Sequence, residues 1–138
     1  MKKIVIIEDD TRIATALAIR LEGAGYAVLT APDGVRGLKL VLDSRPDLIL
    51  MDIWMPVGIG FSVAQRLKDL GLSGVPIIFI TASKQKELKK AARDLGAVGF
   101  IEKPYNPEQL LAVIAQALAV GDSGPASAPS KAQMQSTN

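Results

Sequence analysis

Asp47-Leu48-Ile49-Leu50-Met51-Asp52-Ile53-Trp54-Met55-Pro56 decides the fold of this 138-residue chain. Leu48 to Met51 is an unbroken apolar run, with Pro46 before it and Pro56 after it. Such a run is too short for a helix. Bounded by breakers, it suits a strand covered on both faces. Asp52 then stands at the carboxyl end of the strand. In open α/β sheets that edge is where ligands bind. A charge placed there is costly unless something is bound to it or paired with it.

The same pattern repeats on either side. Lys3 to Ile7 reads as a first strand and ends on Glu8-Asp9-Asp10. Thr11 is the expected N-cap of a first helix, carried by Ile13, Ala14, Leu17, Ala18 and Leu21 and stopped at Gly23 and Gly25. Tyr26 to Thr30 is a second strand. Asp33-Gly34 turns the chain into a second helix through Leu38, Val41 and Leu42, closed before Pro46. After the central strand, Gly58 and Gly60 predict a loop. Val63, Ala64, Leu67 and Leu70 predict a third helix, ending near Gly71. Pro76 to Thr81 is a fourth strand. Leu88, Ala91, Ala92 and Leu95 give a fourth helix, ended by Gly96, and Val98 to Ile101 a fifth strand. Pro107 opens a fifth helix marked by Leu110, Leu111, Ile114 and Leu118. Five alternations of strand and helix imply an α/β fold, a five-stranded parallel sheet with right-handed crossovers and helices on both faces. The folded domain is expected over 1–120. From Gly121 to Asn138 Gly, Ser, Pro and Ala dominate, which reads as a disordered tail or linker.

Composition narrows the chemistry. Hydrophobic residues make up 49%, charged residues 22% and aromatics 4%, so the core is aliphatic. A net charge of +2 is no signature of nucleic-acid binding, and no direct contact with nucleic acid is expected. Without Cys there is no disulfide framework, thiolate metal site or thiol catalyst. Without His there is no Ser-His-Asp triad and no phosphohistidine on this chain. No apolar run approaches the roughly 20 residues of a membrane span. Met1-Lys2-Lys3 leads into a strand rather than a signal peptide, so the expected location is the cytoplasm.

The polar residues expected at the strand ends are Glu8, Asp9 and Asp10, then Asp52, Thr81 and Lys103. Strands one and three are neighbours in most doubly wound sheets, which brings Glu8 and Asp9 toward Asp52. Converging carboxylates repel and raise one another's pKa. A hard divalent cation removes that repulsion, and an oxygen-only donor set favours Mg²⁺ over zinc. Thr81 offers a hydroxyl for a bound oxyanion, and Lys103 a point positive charge. A carboxylate nucleophile, a metal, a hydroxyl and a lysine form the parts list of phosphoryl transfer. Each residue alone has a plainer reading as a cap, turn or strand end; the coincidence of four strand ends points to a site. The basic run Lys84, Lys86, Lys89, Lys90 and Arg93 reads as a solvated helix face.

These residues resemble the receiver domain of bacterial two-component response regulators. The resemblance covers roughly Lys2 to Val120. It rests on Ile-Glu-Asp-Asp at 7–10, Asp-Ile-Trp-Met-Pro at 52–56, Thr-Ala-Ser at 81–83 and Lys-Pro-Tyr at 103–105. It implies a flavodoxin-like, doubly wound sheet of order 2-1-3-4-5. It implies that Asp52 accepts a phosphoryl group from a phosphohistidine on a sensor histidine kinase or phosphotransfer protein. By the same resemblance Asp9 ligates Mg²⁺ directly, Glu8 holds a metal-bound water, and the Trp54 carbonyl is a further ligand. Thr81 is the switch hydroxyl, Phe100 the aromatic that follows it, and Lys103, before a cis Pro104, pairs with the phosphoryl group or Asp52. The output face is the fourth helix, fifth strand and fifth helix, acting on a downstream protein or on an output domain beyond this chain. Such a domain catalyses its own phosphorylation and dephosphorylation without being a conventional turnover enzyme.

The departures lie after Pro56. Val57 stands where Gly is common in the family, Ile59 where Asp is common, and Ser62 where an acid is common. Val57 and Ile59 are therefore expected as exposed apolar groups that meet a partner. Trp54 and Ser83 occupy positions that tune dephosphorylation, and bulky Trp54 is expected to lengthen the phosphorylated lifetime. Three alternatives stand against the phosphoryl-transfer reading. A haloacid-dehalogenase-type phosphatase wants a second Asp where Trp54 stands. A nucleotide binder wants a small-residue loop where Glu8-Asp9-Asp10 stands. A phosphorylation-independent scaffold would not need Asp52, Thr81 and Lys103.

Overall fold

A computed structural model describes residues 1–55, 58–72, 74–83 and 85–122. Among the described residues, seven strands and five helices follow in order: β1 (Lys3–Ile7), α1 (Thr11–Gly23), β2 (Ala27–Ala31), α2 (Gly34–Ser44), β3 (Leu48–Asp52), β4 (Trp54–Met55), β5 (Gly58–Ile59), α3 (Gly60–Asp69), β6 (Ile77–Thr81), α4 (Lys86–Asp94), β7 (Gly99–Glu102) and α5 (Pro107–Asp122). Five strands form one parallel sheet in the order β2-β1-β3-β6-β7. Counting only those five, that is the 2-1-3-4-5 order the resemblance implies. The central stretch behaves as its composition demands: all five residues of β3 are buried.

The helices divide between the two faces. α1 and α5 cover Ile4, Ile6, Leu48, Leu50, Ile78 and Ile80 on one side. α2, α3 and α4 cover Val5, Ile7, Ile49, Met51 and Phe79 on the other. Side chains alternate along each strand, so one strand feeds both cores. The chain has three Phe. Phe61, Phe79 and Phe100 all belong to the second core, and the rings of Phe61 and Phe79 meet edge-on at 5.0 Å.

Several expected boundaries shift, each for a local reason. Asp10, not Thr11, caps α1: its Oδ1 accepts from the Arg12 and Ile13 amides at 2.9 and 3.3 Å. β2 begins at Ala27 because the Tyr26 amide donates to the Leu21 carbonyl and closes α1. The break is made at Gly25, whose φ of 99° is left-handed. β6 begins after Pro76, which has no amide to give, though its carbonyl accepts from Ile49. β7 is displaced one residue, to Gly99–Glu102. Where a loop was predicted after β3, Trp54 pairs with Ile59 and Met55 with Gly58 as a small antiparallel hairpin, and Gly60 already opens α3. α5 runs to Asp122, past the expected end of the domain. Of the predicted tail, residues 123–138 lie outside the described residues, as do Lys84 and the side chains of Trp54, Val57 and Ile59.

Candidate functional site

Because the five long strands are parallel, their carboxyl ends share one edge. β1 delivers Glu8 and Asp9 there, β3 delivers Asp52, β6 delivers Thr81, and the turn after β7 delivers Lys103. Backbone bonds fix these residues to one another. The Lys103 amide donates to the Thr81 carbonyl at 2.8 Å, and the Ile53 amide to the Ile80 carbonyl at 3.2 Å. The Lys103–Pro104 peptide is cis, as the resemblance implies.

The carboxylates converge. Glu8, Asp9 and Asp52 each offer an oxygen, and these oxygens all lie within 4.8 Å of one another. Glu8 is 4% exposed and Asp52 9%, whereas Asp9 is open to solvent. Lys103 Nζ sits between the two buried acids, 3.3 Å from Glu8 Oε1 and 3.4 Å from Asp52 Oδ2. One ammonium therefore serves two carboxylates at nearly equal range. Burial pushes the Glu8 carboxyl up to about 7, and Asp52's charge adds to the rise; the Asp10 amide and Lys103 oppose it. Loss of water acts to lower the Lys103 pKa, but Asp52 and Glu8 outweigh it and hold the ammonium above its ordinary value. Three acids facing one lysine leave an excess of negative charge, which a divalent cation with oxygen preference fits.

The third acid of the Glu8-Asp9-Asp10 run does other work. Asp10 turns its carboxylate to the α1 amides, while its own amide donates to Glu8 Oε2 at 3.1 Å. It therefore orients Glu8 without joining the cluster. Thr81 is fully buried, and its hydroxyl accepts from the Ser83 amide at 3.1 Å. The Ser83 hydroxyl in turn accepts from the Gln85 amide at 3.3 Å. Sequence reading gave Ser83 no part in this turn; Thr-Ala-Ser followed by a helix was the available signal. Phe100 is half-buried on β7, opposite Phe79 in the register, and packs on the α2–α3–α4 core rather than into the acid cluster. Lys86, Lys89 and Lys90 on α4 are exposed, and Lys90 pairs with Asp94 one turn on, consistent with a solvated face.

Comparison with known proteins gives one consistent set. A family model described as the response regulator receiver domain matches residues 4–115. The DNA-binding dual master transcriptional regulator RpaA of Synechocystis is 40% identical over 113 residues, 81% of this chain and 47% of that protein. The phosphate regulon transcriptional regulatory protein PhoB of Pseudomonas aeruginosa is 35% identical over 129 residues, 93% of this chain and 56% of that protein. The chain thus spans about half the length of the curated relatives it matches. Among solved structures, a CheY-like receiver domain protein from Methanospirillum hungatei superposes with a TM-score of 0.84 at 30% identity, over 89% of this chain and 98% of that one. The chemotaxis protein CheY4 of Vibrio cholerae superposes with a TM-score of 0.79 at 32% identity, over 85% of this chain and 98% of that one.

Proposed function

This chain belongs to the response regulator receiver family, and from that membership we propose that Asp52 is the phosphoacceptor of a two-component phosphorelay. The observation that carries the reading is the meeting of Glu8, Asp9, Asp52 and Lys103 at one sheet edge, with Lys103 shared between two buried acids. An Asp52 carboxylate oxygen attacks phosphorus and forms the new O–P bond. The donor's bond to phosphorus breaks and its electron pair leaves with the donor, the imidazole of a partner kinase or, in vitro, the acetate of acetyl phosphate. Lys103 holds positive charge beside the incoming phosphoryl oxygens. Thr81 supplies a hydroxyl at the end of the adjoining strand, and Phe100 is the aromatic expected to respond to it.

Glu8, Asp9, Asp52 and the Trp54 carbonyl are the groups that would hold Mg²⁺, with Glu8 acting through a water. When bound, the ion supplies charge neutralisation between the acidic cluster and the phosphoryl group. The phosphorylated arrangement is one the free protein populates less, so the chemistry acts as a population shift. The face of α4, β7 and α5 passes that shift to a downstream protein or to an output domain; relatives named as transcriptional regulators illustrate the second use.

Intact-protein mass after incubation with acetyl phosphate tests this. One phosphoryl adduct is expected, requiring Mg²⁺ and absent in Asp52→Asn. A folded protein that takes no adduct under any condition would turn the reading to a phosphorylation-independent scaffold.

A further inference from the structure

α4 begins without the support that other helices of this chain have. Asp10 caps α1, Asp33 caps α2 through the Arg36 amide, and Asn106 Oδ1 accepts from the Glu108 and Gln109 amides at the start of α5. Gln85, at the N-cap of α4, makes no side-chain cap bond. The helix is nine residues long and buries only Leu88 and Ala92 fully. A helix this short, with so little buried apolar surface, depends on whatever else fixes its first turn.

Its N-cap is held from the preceding turn by a chain of two side-chain-to-backbone bonds. Thr81 Oγ1 accepts from the Ser83 amide at 3.1 Å, and Ser83 Oγ accepts from the Gln85 amide at 3.3 Å. The first bond leaves the Thr81 hydroxyl proton free to be donated, because Thr81 uses a lone pair there. A Thr81 that rotates to donate to a phosphoryl oxygen therefore draws the Ser83 amide with it. Ser83, through its own hydroxyl, draws the N-cap of α4. From this geometry we infer that Ser83 is a positioning residue that transmits the state of Thr81 to α4; the inference rests on the phosphoacceptor reading of Asp52. This role stands beside any effect of the Ser83 position on dephosphorylation. Its hydroxyl is the only side-chain group seen holding the α4 N-cap amide among the described residues.

The test compares wild type, Ser83→Ala and Ser83→Thr. Two quantities are read on each full chain with acetyl phosphate and Mg²⁺: phosphoryl adduct by intact mass, and hydrogen exchange over α4 with and without donor. Wild type is expected to show the adduct and an exchange change over α4. Ser83→Ala is expected to take the adduct at Asp52 and, compared with wild type at equal adduct level, to lose the exchange change. Ser83→Thr, which keeps the hydroxyl, is expected to restore it. A merely structural role would alter exchange equally with and without donor, and that result overturns the inference. So does an undiminished exchange change in Ser83→Ala, or a folded Ser83→Ala that takes no adduct, which would place Ser83 in the chemistry. A wild type that takes no adduct fails at the Asp52 reading, a separate and earlier point.

Discussion

Glu8 is a carboxyl that the fold buries at a cost. Its carboxyl is almost wholly buried and titrates near 7, against an ordinary value of 4.5. Between those values the folded chain keeps a proton that the unfolded chain has lost. Stability of the metal-free protein therefore falls as pH rises from about 4.5 to 7, and levels off above. The drop is on the order of 2–3 kcal/mol. Urea denaturation in EDTA at pH 5 and pH 8 should show it, and Glu8→Gln should flatten it. Asp10 makes a second residue-scale prediction. Its carboxylate caps α1, so Asp10→Ala should cost about 1 kcal/mol in the same assay. It should leave adduct formation at Asp52 in place, because the Asp10 side chain is turned away from the cluster. The sequence placed three acids together but not their division of labour. A carboxylate beside a helix start and one beside a metal look alike until the backbone direction is known.

At the scale of elements, α2 lies unusually close to β1. A Cβ added at Gly37 would stand 2.5 Å from Ile7 Cδ1, 2.9 Å from its Cγ1 and 3.0 Å from its Cγ2. Alanine is normally favoured over glycine inside a helix by about 1 kcal/mol. Here the clash outweighs it, because the contacts run along the branched side chain of Ile7, which is fully buried. Gly37→Ala should lower stability by about 1–2 kcal/mol, read by thermal unfolding. An unchanged or raised melting temperature would show that Ile7 repacks freely. The strands themselves were legible because each is an apolar run between breakers. Their one-residue frames were not, since frame depends on which amide is already used elsewhere. Tyr26 is spent on closing α1, and the Val98 amide donates to Ile77 before β7 begins. The hairpin of β4 and β5, only two residue pairs long, was hidden behind the two glycines at 58 and 60.

For the whole molecule, the acid cluster that opposes folding is the one proposed to hold an ion. Mg²⁺ added to the metal-free protein should raise the urea midpoint, by roughly 2.7 kcal/mol of stability at a hundredfold excess over its dissociation constant. Asp9→Asn should lose most of that response. Asp9 is exposed, so its replacement should change the metal-free stability little. An equal response in the variant would remove Asp9 from the ligand set. The sheet order itself followed from resemblance, while burial of its middle strand followed from sequence alone. The partition of the aromatics was visible to neither, because it depends on which way each strand faces. With all three phenylalanines in the layer beneath α2, α3 and α4, fluorine labelling of that one amino acid would yield three NMR lines and no signal from the α1–α5 side. Two of those lines would come from rings in contact and the third from Phe100, so one spectrum separates events at the heart of that layer from events at its rim.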